Sequence, residues 1–405
     1  MIAAGRPGTV GPDEGTREHR LGTGVLDLAV EVNRAGRELF RVAERINPKR
    51  SFLFVSTVLG RHIPVRPRDH FEAVNGLVDQ IPNQDLKGPL LVMGYAETAV
   101  GLGAAVARRI SRRRPDAALL YMSTTRHPVD GLRWTGFSEG HSHATSHHVM
   151  SPARFGLLSG KPLTLVLVDD ETTTGTTFAA LFGALREGGL PVGRVLLLTL
   201  TDWSDGAAVR TVSELAPGVP VRSFSLLRGR WGWTRDPCAI LPEVPEWSGP
   251  RQLPVWMSDR VTDPLLRAPR LGIRMGGETV PLPLSAELEL RSPGEAVLVI
   301  GTGEHVWGPM LLAERLERDG ADVHVVATTR SPILSGDVVR HKFAFPDHFG
   351  VGVPMYLHNV PERPEARVIV MTETGASGIC QEMKRHLGRG QIVDGAGRVT
   401  EFGTT

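Results

Sequence analysis

The stretch Val166-Leu167-Val168-Asp169-Asp170-Glu171-Thr172-Thr173-Thr174-Gly175-Thr176-Thr177 decides the fold. Its first three residues belong to an apolar run from Leu163 that reads as a buried strand, and Phe178 to Glu187 after it reads as a helix. In an open α/β sheet, ligands bind beyond the carboxyl ends of the strands, and Asp169 and Asp170 stand at that position. Two adjacent carboxylates can accept hydrogen bonds from both hydroxyls of a ribose ring. Gly175 lets the backbone bend tightly. The loop amides, the threonine hydroxyls and the partial positive charge of a helix start can cradle a dianionic phosphate. An ordinary capped turn accounts for one Asp and one Thr. It does not account for two acids followed by a run of hydroxyl residues and glycine in this order. The segment reads as a site for a sugar carrying a 5-phosphate.

Further strands and helices alternate around it. Ser51 to Val55, Leu90 to Met93, Ala117 to Met122 and Val195 to Leu200 read as short buried strands, and the small-residue stretch through Ile110 as a helix. Leu26 to Ala43 is expected to be helical and to end at Asn47-Pro48. His127 to Met150 is polar, rich in histidine and expected to be a loop. Strand and helix alternation implies an α/β fold of parallel βαβ units. Five prolines, at 237, 242, 245, 250 and 254, mark a boundary, and a second alternating unit starts at Ala296. The expected organisation is a disordered tail over 1–20, a first domain over 21–240, a Pro-rich linker over 241–265 and a second α/β domain over 266–405.

The chain has 405 residues, which fits about two domains. Its 46 basic and 44 acidic residues nearly cancel, so nothing in the balance calls for a nucleic acid or a membrane as partner. Cys238 and Cys380 are too far apart to suggest a disulfide framework or a metal motif, which points to a reduced, cytoplasmic setting. No run approaches a membrane span, and Met1 to Arg20 lacks the apolar core of a signal peptide.

The two units match in order. Gly94-Tyr95-Ala96-Glu97 with Gly101 corresponds to Gly301-Thr302-Gly303-Glu304 with Gly308, and Thr124-Thr125-Arg126 corresponds to Thr328-Thr329-Arg330. Val166-Leu167-Val168 before the acid pair corresponds to Val368-Ile369-Val370 before Met371-Thr372. Three matches at similar spacing imply a tandem duplication. The second copy lacks the acid pair, so a second site of the same kind is not expected there. Glu304, Arg330, Ser331 and Asp337 are candidates for a different ligand, Phe345 to His348 with Tyr356 and His358 for a lid, and Trp307 for core packing or for stacking on a base.

The segment from Val166 to Thr177 resembles the signature for 5-phosphoribosyl-1-pyrophosphate (PRPP) in type I phosphoribosyltransferases. From about Arg34 onward the chain resembles the bacterial orotate-phosphoribosyltransferase-like family with a C-terminal TRSP domain, its motif here being Thr329-Arg330-Ser331-Pro332. The resemblance implies the type I phosphoribosyltransferase fold followed by a degenerate copy, and a setting in nucleotide metabolism and tellurite-resistance or stress-response gene clusters. It implies a PRPP site in which Glu171, Thr172, Thr173, Thr174, Gly175, Thr176 and Thr177 hold the ribose phosphate. Tyr95, Ala96, Glu97 and Thr98 form the pyrophosphate loop. Relatives often carry Arg or Lys there, and Glu97 either keeps that role or caps the following helix.

Asp169 and Asp170 would hold the ring and Mg²⁺, Arg126 would meet the pyrophosphate, and the stretch from His127 to Met150 would close as a hood. Within it Glu139 and His141 are the catalytic candidates. His143, His147 and His148 either protonate the leaving group, bind a transition metal or are plain loop residues. Lys49, Arg50 and Arg61 either meet the base or are surface charges. The implied reaction transfers ribose 5-phosphate from PRPP to a nucleobase-like acceptor. The alternative is a PRPP- or nucleotide-binding regulator without transfer, and a third reading is the reverse or hydrolytic reaction. The chain acts either as a homodimer or as an internal pseudo-dimer, and replacing Arg330 is expected to leave PRPP binding to the first half largely intact.

Overall fold

The computed structural model describes residues 15–45, 47, 50–128, 132–138, 146–150, 158, 162–240, 269–276, 286–350 and 352–403. The chain opens with β1 (Gly15–Leu21), β2 (Gly24–Asn33), β3 (Phe40–Glu44) and β4 (Phe52–Ser56), followed by α1 (Pro67–Asp79). Next come β5 (Leu90–Gly94), α2 (Ala99–Arg113), β6 (Leu119–Ser123) and the hairpin β7 (Arg133–Ser138) and β8 (Ser146–Met150). Then follow β9 (Leu163–Thr172), α3 (Thr176–Glu187), β10 (Val192–Asp202), α4 (Ala207–Leu215), β11 (Val221–Arg235) and the short β12 (Ile273–Met275).

These elements build an eight-stranded sheet in the order β1-β2-β11-β10-β9-β5-β6-β12. From β11 to β6 the strands are parallel, and the pairs at both edges are antiparallel. β5 and β6 are buried along their whole length, as strands covered on both faces must be. The glycines of α2 let it approach the sheet: a Cβ at Gly103 would stand 2.8 Å from the Tyr121 ring and 3.0 Å from Gly94 Cα.

Several expectations change. Leu26 to Ala43 forms no helix. Leu26, Leu28 and Val30 are buried while Asp27 and Glu31 are exposed, a period of two that belongs to β2, and Phe40 opens β3. Residues 15–20, assigned to the tail, pair with β2, and their alternating exposure is that of an edge strand. Ile273 to Met275 is counted with the second domain by the sequence, yet it covers the free edge of β6. The hood is no plain loop either: its described flanks pair as β7 and β8, with Phe137 stacked on His147 at 4.5 Å. α1 went unrecognised, although Pro67 opens it and Ala73, Val74, Leu77 and Val78 form one buried stripe.

The second unit comprises β13 (Ala296–Gly301), α5 (Trp307–Arg318), β14 (Asp322–Ala327), the hairpin β15 (Lys342–Pro346) and β16 (Pro354–His358), β17 (Arg367–Met371), α6 (Gln381–Leu387), β18 (Gly390–Val393) and β19 (Val399–Phe402). Its sheet runs β14-β13-β17-β18-β19. The order β14-β13-β17-β18 repeats β6-β5-β9-β10, with a hairpin inserted before the third strand of each series in sequence. The topology therefore bears out the duplication.

The two units are packed as one body. Leu102 and Ala105 of α2 share a continuous apolar core with Val299, Trp307 and Met310. Trp307 is a core residue, with Arg108 5.4 Å over its ring. Arg108 also forms a two-pronged ion pair with Glu314, at 2.7 and 2.9 Å.

Candidate functional site

At the carboxyl ends of β5 and β9 lies a cavity of about 620 Å³, lined by Tyr95 to Thr98, Arg126, Asp169 to Thr177 and, from the second unit, Thr329 to Ser331. The sequence-predicted loops thus meet in one place. Gly175 takes φ +78° and starts α3, and a Cβ there would press on the backbone of Ala208, so the turn requires glycine. Thr174 and Thr176 are exposed at the helix start, their hydroxyls 3.0 Å apart. Asp170 accepts a hydrogen bond from the Thr98 hydroxyl at 3.0 Å, and its backbone N–H donates to Asp169 Oδ1 at 3.0 Å. Burial raises the Asp170 pKa, and the hydrogen bonds from its neighbours oppose that rise.

The turn from Tyr95 to Thr98 is fixed from below. The Ala96 N–H donates to Thr124 Oγ1 at 2.8 Å, and that hydroxyl lies 2.9 Å from His147 Nδ1. His147 is buried, so this histidine of the hood orients a loop. The same device recurs in the second unit, where the Gly303 N–H donates to Thr328 Oγ1 at 2.8 Å and His348 Nε2 lies 3.0 Å from that hydroxyl. Threonine preceding Thr-Arg in each copy is the sequence signal that could have revealed it. His348 and Asp347 are therefore structural rather than a lid, Asp347 accepting the N–H groups of Phe349 and Gly352.

Glu97 does not cap α2, and its carboxylate is engaged across the two units. It pairs with Arg61 at 2.9 Å and accepts the Thr329 hydroxyl at 3.3 Å. Burial alone would raise its pKa, but the guanidinium groups of Arg61, Arg330 and Arg126 outweigh that and hold it at about 2. Glu304 makes the reciprocal contact, accepting from the Thr125 hydroxyl at 2.5 Å and the Arg126 N–H at 2.7 Å. Each unit's glutamate thus takes the Thr-Thr-Arg turn of the other, the self-complementary pattern of a two-fold interface. Arg61 also donates to the Gly303 carbonyl at 2.5 Å and is 4% exposed, so it braces the two units.

Arg126 donates to the Ser146 carbonyl at 2.9 Å and lines the cavity. Arg330 lines the same cavity and lies 3.0 Å from His127 Nε2. That position bears directly on the expectation that Arg330 is independent of the first unit's site. Glu171 lines the cavity and is engaged by Arg50 at 2.8 Å. Glu139, His141, His143 and Lys49 lie outside the described residues.

Among the described residues no group of three or more His, Cys, Asp or Glu side chains could by itself hold a metal ion. The carboxylate oxygens of Asp169 and Asp170 are hard donors, the kind that completes the shell of a Mg²⁺ carried mainly by substrate phosphates. The donor set fits that ion.

These features place an acid pair, a threonine loop and two arginines around one cavity at the edge of a parallel α/β sheet. A family described as phosphoribosyl transferase (PRTase_2) matches residues 39–230, and one described as the TRSP domain C-terminal to it matches residues 278–383. The chain belongs to this family of type I phosphoribosyltransferases with a C-terminal TRSP domain. No curated protein matches it. Similar solved structures include adenine phosphoribosyl transferase from Trypanosoma brucei, at 15% identity and TM-score 0.33, covering 46% of this chain and 76% of that one. Another is orotate phosphoribosyltransferase from Aeropyrum pernix, at 21% identity and TM-score 0.27, covering 49% and 84%.

Proposed function

We propose that the chain is a Mg²⁺-dependent phosphoribosyltransferase that moves ribose 5-phosphate from PRPP to a nucleobase-like acceptor. The observation that carries this is the convergence of the acid pair, the threonine loop and two arginines on one cavity. In this reading Asp169 and Asp170 hold the ribose hydroxyls. The loop from Thr172 to Thr177 cradles the 5-phosphate at the start of α3. The Tyr95 to Thr98 turn, Arg126 and Arg330 surround the pyrophosphate. When bound, Mg²⁺ supplies charge neutralisation on the pyrophosphate oxygens.

A ring nitrogen of the acceptor forms a bond to ribose C1 as the C1–oxygen bond breaks. Pyrophosphate leaves with the electron pair, and the proton on the attacking nitrogen passes to water. The oxocarbenium-like charge developing on the ring is met by the carboxylates of Asp169 and Asp170. No protein nucleophile is required, since positioning and electrostatics supply the rate. The second unit, from residue 286 onward, acts as a built-in partner subunit. A chain that works as an internal pseudo-dimer accounts for the reciprocal contacts of Glu97 and Glu304.

Calorimetric titration with PRPP and Mg²⁺, followed by pyrophosphate release across a panel of bases, tests the reading. Binding with base-dependent release is expected. Binding without release for any base would favour a PRPP-sensing role, and no binding would sink the site.

A further inference from the structure

One part of the cavity lining differs in character from Arg126, Arg330 and the threonine loop. It comprises Arg50, Phe52, Trp231 and Trp233. The two tryptophans stand two residues apart on one face of β11, both half-buried, and the Phe52 ring lies 5.4 Å from Trp231 and 5.2 Å from Trp233. Partly open aromatic side chains lining a cavity are a platform for a flat ring.

The charges there are already matched. The Arg50 guanidinium lies 4.7 Å over the Phe52 ring and is ion-paired to Glu171 at 2.8 Å. Arg45 directs its Nε at the Arg50 carbonyl, 2.9 Å away. Asp169 and Asp170 add negative charge beside Glu171. Glu171 Oε2 is covered and has no hydrogen-bond donor in the structure. An unmet carboxylate oxygen at a ligand cavity calls for a donor. A carboxylate-bearing base would instead meet three carboxylates, while the Arg50 guanidinium is held on Glu171 through Nη2.

Resting on the reading of this cavity as a PRPP site, we propose that the acceptor is a neutral, planar aromatic nitrogen heterocycle. It stacks on Trp231 and Trp233 and donates an N–H or amino hydrogen to Glu171. Glu171 is then a specificity residue of the acceptor, separate from the phosphate loop that follows it. The group transfer is unchanged: the ring nitrogen takes C1, pyrophosphate leaves with its electron pair, and the nitrogen's proton goes to water.

The test uses the full chain with PRPP and Mg²⁺. PRPP affinity is measured first, by calorimetry. Adenine and hypoxanthine, neutral and rich in N–H donors, are then compared with orotate and nicotinate, which carry carboxylates, by tryptophan-fluorescence quenching and pyrophosphate release. A neutral base is expected to quench and react, and the anionic ones to do neither. Glu171→Gln keeps a hydrogen bond to Arg50; it is expected to leave PRPP affinity within about threefold and raise the base KM about tenfold or more. Trp231→Ala is expected to raise the same KM about tenfold, the scale of one lost stacking contact. Preference for orotate or nicotinate would overturn the proposal. So would PRPP binding with no heterocycle bound or consumed, or a Glu171→Gln effect that falls on PRPP rather than on the base. Failure of PRPP itself to bind would show in the first titration and would remove the underlying site along with the acceptor.

Discussion

The two units share a scaffold and differ in what its carboxyl-end loops hold. Both run strand, turn, helix, strand, hairpin, strand, helix, strand, and both fix the first turn through a threonine hydroxyl next to a buried histidine. At the end of β9, Asp169 and Asp170 border an open cavity; at the end of β17, Met371 and Thr372 are fully buried. Glu171 pairs with Arg50, the two side chains 14% and 19% exposed, whereas its counterpart Glu373 pairs with Arg270 at 2.7 Å with 4% and 2% exposed. The helix after the loop shrinks from twelve residues in α3 to seven in α6. Interactions that set the shape of the turns have been kept, and the position that would receive a ligand has been filled from within. What the second unit contributes outward is its Thr-Arg-Ser turn, placed in the first unit's cavity.

The largest break in this comparison is expected at the acid pair. Replacing both Asp169 and Asp170 with Asn removes two charged acceptors, each worth about 1.5–3 kcal/mol as a hydrogen-bond partner. PRPP affinity should fall by roughly 10² or more, read by calorimetry, with the melting temperature little changed. Met371→Leu in the second unit should leave PRPP affinity as it was. An acid-pair variant that still binds PRPP normally would end the site assignment.

The filled site comes next. Glu373→Ala leaves the Arg270 guanidinium buried without its carboxylate, a change that costs about 3–5 kcal/mol in other buried pairs. Chemical denaturation should show that loss, while PRPP affinity of the folded protein holds. The equivalent Glu171→Ala removes a less deeply buried pair and should cost less than Glu373→Ala. Equal losses at the two glutamates would mean that the second site is no more sealed than the first.

How far the sequence revealed this follows from the range of each signal. The acid pair, the threonine loop and the duplicated turns are contiguous strings at strand ends, so local reading found them and the parallel sheet they imply. β2 reads as a helix in the sequence because Leu26, Leu28, Val30 and Val32 sit in a longer apolar stretch that also suits helical spacing. The long-range pairs were not legible. Glu97 with Thr329 and Glu304 with Thr125 join residues 232 and 179 positions apart, and nothing local distinguishes an interface glutamate from a helix cap. The aromatic wall of Trp231, Trp233 and Phe52 has the same cause, since it assembles from two distant strands. Glu139 and His141, chosen from composition and resemblance, lie outside the described residues.

Arg330 sharpens the comparison further. If the second unit completes the first unit's site, Arg330→Ala should weaken PRPP or pyrophosphate binding by about tenfold, the scale of one charged hydrogen bond. Arg330→Lys should recover part of it, because a point charge replaces a planar fork. An Arg330→Ala protein with unaltered affinity would return the second unit to a purely structural role and restore the simpler expectation drawn from the sequence.

The most distributed effect concerns how the units stay together. Burial lowers the pKa of His62 and His127 on the first unit's side of the interface, and of His358, to about 3, on the other. The rings of His62 and His358 are 5.3 Å apart, and His127 lies 3.8 Å from Phe349. Unfolded histidines titrate near 6.5, so below that pH the unfolded chain binds more protons than the folded one. Stability is then fully present above about pH 6.5 and is lost as pH falls towards the depressed folded values, by up to about 1.4 kcal/mol per pH unit for each such histidine. The neighbouring cations Arg61, Arg330 and Lys342 oppose an added proton, and Glu97 offsets burial and those cations only in part at His62 and His127. Acidification from pH 7 to 5 should therefore lower the melting temperature. Amide exchange should rise first where Val65 pairs with Val325 across the interface. Exchange that rises first within the parallel strands of either sheet would show that the two copies are held together more firmly than each is held within itself.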